Sequence, residues 1–344
     1  MRIARHIERL EGYTPGEQPK SRRVVKLNTN ENPYPPSPRC ADVLRAFDPE
    51  NLRRYPDPRC GALAAALARR CDVDPERVFV GNGSDEILSL CAKAFVEDDE
   101  AIGSLDPSYS LYKTLAAIRG VEWRAPGWRA SAPTPVSLFL WTNPNAPTGE
   151  FAEPVDIAAF AKDFPGVVVV DEAYADFARG NCLALAAAEN NANIIVMRTF
   201  SKSYSLAGMR VGWCVGPRDL IEALYKIKDS YNVDAVAQAV ALAALEDEEY
   251  HRETVAKVVA AREELACGLR SRGWDAPASE SNFIFARPPA PAKAAEVFAA
   301  LKERGVFVRY FPGPKTGDRL RITVGTPEQN AAFLAAADAA CGGA

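Results

Sequence analysis

Histidine is nearly absent: the 344-residue chain has two, His6 and His251, and neither lies near a motif. That excludes a Ser-His-Asp hydrolase and a histidine-based metal site, and both residues are expected to be ordinary surface residues. No apolar run approaches the roughly 18 residues a spanning helix needs, so no membrane segment is expected. Residues 1–20 are charged and lack an apolar core, which is not a signal-peptide pattern, so a cytoplasmic location is expected. No stretch gathers enough Lys and Arg to follow a phosphate backbone, and the formal net charge is -4, so nucleic acid is not an expected partner. The eight cysteines include no C-x-x-C pair and no ligand spacing, which reads as free thiols in a reducing compartment without a metal site. Neither a G-x-G-x-x-G fingerprint nor a P-loop occurs, and there is no internal repeat.

What is present is enough chain for two domains. Residues 28–40 hold four prolines without a clear period and are expected to form an ordered loop or arm. Helical patterns cover 59–70, 87–95 and 154–162, and strand candidates cover 77–80, 136–141, 167–170 and 194–197. The runs at 167–170 and 194–197 are apolar throughout, as in strands buried on both faces of a parallel sheet. Strand–helix alternation predicts an α/β fold. After about residue 217 the character changes. Helical patterns at 217–228, 253–269 and 292–304 and strand candidates at 282–285, 306–308 and 320–324 predict a smaller α+β module. Trp123, Trp128, Trp141, Trp213 and Trp274 read as packing residues.

Four segments carry chemistry. The first is the run from Arg198 to Arg210, in which a strand delivers Lys202 between two serines, with Arg210 eight positions on. An amine that forms imines must shed its proton, and partial burial near other cations promotes this. Thr199, Ser201 and Arg210 offer donors suited to a phosphate. The second is Asp171-Glu172-Ala173-Tyr174, directly after an apolar run. A carboxylate at the carboxyl end of a parallel strand can hold a protonated pyridine nitrogen. The third is Gly83-Ser84-Asp85 at a helix start, where backbone N–H groups favour an anion, with capping chemistry in 84–86. The fourth, 143–149, is a loop of turn residues after a strand. Each alone has a bland reading: a solvated lysine, a turn-capping aspartate, a capped helix, a tight loop.

Their order and spacing together are specific. With NTNENPY at 28–34, Arg54-Tyr55-Pro56, GNGSDE at 81–86, Pro107-Ser108-Tyr109, DEAY at 171–174, TFSK at 199–202 and LRITVGT at 320–326, the chain resembles, over essentially its whole length, the fold-type I pyridoxal-phosphate enzymes of the aspartate aminotransferase superfamily. Within them it is most similar to the histidinol-phosphate aminotransferase family. The resemblance implies a three-layer α/β/α large domain with a mostly parallel sheet at about 36–240. A small α+β domain would combine 1–35 with 241–344. It implies pyridoxal 5'-phosphate as cofactor, with Lys202 as Schiff-base lysine and proton shuttle. Asp171 would face the pyridinium nitrogen, Tyr174 the 3'-oxygen, and Tyr109 would stack on the ring. Gly83, Ser84, Asp85, Thr199, Ser201 and Arg210 would surround the phosphate, joined by Tyr55 from a neighbouring subunit in a homodimer with shared sites. Asn30, Arg309 and Arg321 would bind substrate. One position departs from the pattern: the asparagine usual before Pro-Thr-Gly is Ala146 here. Either Asn145 takes over its contact with the 3'-oxygen, or Tyr174 holds that oxygen without it.

The implied reaction is transamination between a small-molecule amino donor, L-histidinol phosphate, and a 2-oxo acid, 2-oxoglutarate. An aromatic amino-acid aminotransferase or a threonine-phosphate decarboxylase would share the cofactor residues. A non-catalytic regulator reusing the fold needs an appended DNA-binding domain, for which a resemblance beginning almost at Met1 leaves no room.

Overall fold

The computed structural model describes residues 3–10, 12, 16–19, 24–125, 136–189 and 191–342. Its centre is a seven-stranded sheet of β1 (Val78–Gly81), β2 (Ala101–Ser104), β3 (Glu122–Arg124), β4 (Val136–Thr142), β5 (Val167–Asp171), β6 (Ile194–Thr199) and β7 (Gly212–Val215), in the order β1-β7-β6-β5-β4-β2-β3. Strand β7 runs antiparallel to both neighbours, and all other pairs are parallel. The fully apolar runs of β5 and β6 follow from their position: helices cover both faces of the sheet. Val168, Val170, Ile194 and Val196 pack on one side with Leu63, Leu67, Val240 and Ala241. Val169, Ile195 and Met197 pack on the other with Ile87, Leu88, Tyr112 and Leu224. This period-2 partition gives the expected three-layer α/β/α arrangement.

A second, three-stranded antiparallel sheet is built from β8 (Phe283–Ala286), β9 (Arg309–Tyr310) and β10 (Leu320–Thr323), in the order β9-β10-β8. Leu265, Leu269, Ile284, Leu301, Ile322 and Phe333 make its core, and Leu27 joins them. Val25–Lys26 pairs in parallel with Val306–Phe307, so the segment that follows reaches the main sheet from this side.

Three departures from the sequence reading have local causes. Helix Pro38–Ala46 begins inside the stretch expected to be irregular, because Ser37 Oγ accepts the Arg39 N–H and Pro38 suits a first helical turn. Strands β2, β3 and β7 were not expected; each is three or four residues long, and β2 and β7 contain glycine. The helix after β1, α1 (Ser84–Ala94), has Gly83 at its N-cap without a side-chain cap bond; of the expected capping residues, the Glu86 carboxylate accepts the Asn82 N–H just ahead of the helix at 2.5 Å and also Asn232 Nδ2 at 2.8 Å. Trp141, Trp213 and Trp274 are buried packing residues, as expected; Trp128 lies outside the described residues.

Candidate active site

Strands β1, β2, β4, β5 and β6 end on the same edge of the sheet, where β7 begins. A cavity of about 650 Å³ opens there, between that edge and the second sheet. Asn30, Ser84, Asp85, Tyr109, Asp171, Tyr174, Lys202, Arg210, Arg309 and Arg321 all line it, with Thr199 and Ser201. Residues more than 290 positions apart in sequence thus share one concavity, at the edge where open α/β sheets place ligands.

One end of the cavity is an anion cradle. Gly83 has φ +79, and a Cβ there would stand 2.7 Å from the Arg210 guanidinium. A Cβ on Gly212 would stand 2.5 Å from the Ser84 backbone nitrogen, so this glycine lets β7 pass against the start of α1. Thr199 Oγ1 accepts the Ser201 N–H at 3.1 Å and donates to Ser201 Oγ at 2.9 Å, and Arg210 donates to Ser201 Oγ at 3.2 Å. Arg210 also lies 3.5 Å from Asp85, whose carboxylate accepts from the Tyr109 hydroxyl at 3.4 Å. Hydroxyls, a guanidinium and a helix N-terminus converge, the donor set a phosphate monoester takes.

At the floor, Asp171 is buried at the end of β5. Burial pushes its carboxyl up to about 6, although the Tyr112 hydroxyl at 2.8 Å and the Ala173 N–H at 3.1 Å stabilise the anion. Among the described residues Asp171 makes no ion pair, and its carboxylate is held by these two donors at the cavity floor. The Lys202 ammonium donates to the Thr29 carbonyl at 3.1 Å and stands 5.8 Å from the Tyr174 ring. Burial, then the nearby Arg321, lowers its pKa to about 8, which supplies free amine near neutrality. These groups fit pyridoxal 5'-phosphate: a cradle for its phosphate, an unpaired buried carboxylate for a ring cation, and an amine of lowered basicity for its aldehyde.

On the wall formed by the second sheet, Arg309 and Arg321 are register partners on β9 and β10. Both line the cavity, and two guanidinium groups on one wall suit an anionic group of a substrate. Phe311 lies near both guanidinium groups, 5.3 Å from Arg309 and 5.2 Å from Arg321. At the mouth, Lys315 reaches across to Asp106 at 2.8 Å.

Three expected residues do not line the cavity. Gly83 acts behind it, through its backbone. Asn145 is turned away: its amide donates to the Pro107 carbonyl and Thr148 Oγ1, both at 3.0 Å, and accepts from Ser108 Oγ at 3.1 Å. Tyr55 is 80% exposed and stacks on Tyr231, at 4.3 Å between ring centroids.

The expectation for His251 is corrected. It is buried, stacked on Tyr204 at 4.0 Å, with Nε2 3.7 Å from Asp176. It belongs to a polar cluster behind the lysine loop, in which Arg198 bonds Glu172 at 2.7 Å and Asp176 at 2.9 Å. Asp171 and Glu172 are adjacent in sequence and point to opposite sides, so only the first serves the cavity. His6 is exposed, as expected. Tyr112, missed in the sequence, bonds both Asp171 and Thr142 from the first turn of helix Leu111–Arg119.

Comparison with known proteins agrees with this geometry. Residues 22–336 match the family described as "Aminotransferase class I and II". A histidinol-phosphate aminotransferase of Syntrophotalea carbinolica is 44% identical, covering 97% of this chain and 98% of its own. One from Bradyrhizobium diazoefficiens is 46% identical, with 94% of each chain covered. Among solved structures, histidinol-phosphate aminotransferase from Sinorhizobium meliloti in complex with pyridoxal-5'-phosphate superposes with a TM-score of 0.87 at 23% identity, covering 99% of this chain and 97% of that one, a likeness of fold.

Proposed function

The chain belongs to the aminotransferase class I and II family, and from that premise we propose that it is a pyridoxal-phosphate-dependent aminotransferase exchanging an amino group between L-histidinol phosphate and 2-oxoglutarate. The observation that carries the reading is one cavity holding Lys202, Asp171 and the opposed Arg309–Arg321 pair. When bound, pyridoxal phosphate supplies an electron sink for the pair released at the substrate's α-carbon. The protein does the rest. Ser84, Asp85, Thr199, Ser201 and Arg210 hold the phosphate, the first two mainly through backbone N–H groups. Asp171 would keep a proton on the ring nitrogen, and Tyr109 would cover the ring. Lys202 holds the cofactor, then carries the proton to and from the α-carbon as free amine. Tyr174 would donate to the 3'-oxygen, and Asn145 would take no part, because its amide is bound elsewhere. Arg309 and Arg321 grip the donor's phosphate in one half-reaction and the 2-oxo acid's carboxylate in the other.

Curated relatives at 40–46% identity carry the histidinol-phosphate name, which disfavours the aromatic and decarboxylase alternatives. A donor panel tests this: turnover with histidinol phosphate far above that with phenylalanine supports the reading, and equal turnover, or carbon dioxide release from threonine phosphate, contradicts it. Two bodies with separate main cores suit the packing, with helix Ala235–Glu246 held whole in the first, so the division would fall nearer 246 than 240, and free cysteines suit the cytoplasm. Among the described residues, no helix is long and apolar enough to cross a membrane. The exposed Tyr55 suits a homodimer in which it reaches the partner's cofactor phosphate. Mixing Tyr55→Ala and Lys202→Ala proteins would then restore up to about a quarter of wild-type activity, one intact site per heterodimer. No restoration contradicts sharing.

A further inference from the structure

With Ala146 in place of the asparagine usual before Pro-Thr-Gly, Tyr174 is the side chain left to donate to a cofactor 3'-oxygen, and its hydroxyl is bonded by Asn30. Asn30 is 1% exposed and sits in a left-handed conformation, φ 55. Its backbone is tied at both ends: its N–H donates to Thr323 Oγ1 at 3.0 Å, and its carbonyl accepts from Asn282 Nδ2 at 3.0 Å. The Thr323 hydroxyl in turn donates to Asn30 Oδ1 at 3.0 Å. With the amide oxygen engaged on that side, the amide nitrogen faces Tyr174 and donates to its hydroxyl oxygen at 2.9 Å. A phenol has one proton to give. Because the oxygen accepts from Asn30, that proton is directed away from Asn30, and accepting a bond strengthens the phenol as a donor. Ala146 lines the same cavity and offers only a methyl group.

We infer that Asn30 is a positioning residue acting through Tyr174: its amide aims the Tyr174 proton at the cofactor's 3'-oxygen and offsets the donor absent at Ala146. This rests on the pyridoxal-phosphate reading of the cavity and gives Asn30 a role other than touching substrate. A donor to the 3'-oxygen stabilises the oxyanion that remains when the neighbouring imine nitrogen loses its proton. Asn30 therefore lowers the pH at which the lysine-bound cofactor changes colour. The charged groups around Tyr174 are Lys202, Arg321, Asp171 and Asp85, and the substitutions below leave all of them in place.

The test is a spectrophotometric pH titration of the visible band of the cofactor-loaded protein. Asn30→Gly tolerates the left-handed backbone and removes the amide. Its midpoint should rise by about 0.5–1 pH unit, the weight of one hydrogen bond. Tyr174→Phe should rise at least as far, and the double variant should match Tyr174→Phe alone. Thr323→Val, which frees the amide without removing it, should move the midpoint in the same direction. Unmoved midpoints in Asn30→Gly and Thr323→Val beside a moved Tyr174→Phe overturn the inference. So does a double variant in which the two shifts add, which would mean that Asn30 acts by another route. Absence of any visible band in the wild-type protein is a separate outcome, and it removes the cofactor reading together with this one.

Discussion

Replacing Asp171 by Asn should stabilise the cofactor-free fold while disabling the chemistry. Asp171 is 3% exposed, and burial raises its carboxyl from the ordinary 3.8 to about 6. At about 1.36 kcal/mol per pH unit, the ionised carboxylate costs the fold about 3 kcal/mol at neutral pH. The sign follows from proton uptake. Between 3.8 and about 6 the folded state binds more protons than the unfolded one, so this contribution is present at low pH and lost as pH rises through about 6. Asn cannot ionise, but it has one acceptor oxygen where Asp171 takes bonds from both Tyr112 and Ala173. Losing one of them takes back about 1 kcal/mol. The net expectation is a gain of about 1–2 kcal/mol in urea unfolding of the cofactor-free protein at pH 7.5, vanishing near pH 4. The wild-type-minus-variant difference isolates this residue from every other titrating group. Turnover of the loaded enzyme should fall on the order of 10²–10⁴-fold, because a ring cation in a buried site loses its partner. A variant that is less stable at pH 7.5, with a pH-independent difference from wild type, would refute the reasoning.

Three further outcomes follow from the same geometry. Capture of added cofactor by the cofactor-free protein should accelerate with pH around a midpoint near 8, where Lys202 loses its proton, and Arg321→Leu should move that midpoint upward; a fixed midpoint contradicts the electrostatic reading. Glu172→Gln removes one of the two carboxylates that Arg198 bonds and leaves Asp176 in place, so it should cost about 1.5–3 kcal/mol in urea unfolding, the weight of a charged hydrogen bond, with KM barely changed; a loss under about 0.5 kcal/mol would mean the pair is dispensable. Arg309→Leu should raise KM for histidinol phosphate about 10–100-fold, the weight of a charged hydrogen bond, while leaving a donor without phosphate less affected; equal effects on both donors contradict a phosphate-specific role.

The layers of the fold were legible because burial writes itself into composition. The apolar runs 167–170 and 194–197 fit the bodies of central strands, and the polar residues that follow them, Asp171 at the end of β5 and Lys202 three residues past β6, mark the edge where ligands sit. The reversal of β7 was not legible: four residues with a glycine carry no sign of strand direction. The cavity's second layer was hidden for another reason. Tyr112 on a helix reads as core packing, and only the fold brings its hydroxyl to Asp171. The amide at Asn145 looked like the neighbour that could replace Ala146, yet loop bonds turn it away, while Asn30, 144 positions from Tyr174, is the amide that reaches it. His251 shows the same limit, since a lone histidine in a helical run gives no hint that Tyr204 and Asp176 lie against it.

The central claim is that Lys202 is the cofactor's covalent anchor, and borohydride reduction followed by peptide mass mapping tests it most directly. Reduction of the loaded protein should bleach the visible band and fix one cofactor mass on the peptide carrying Lys202, with Lys202→Ala retaining neither adduct nor turnover. A stable adduct on another lysine of the wild-type protein, or full turnover by Lys202→Ala, would contradict it.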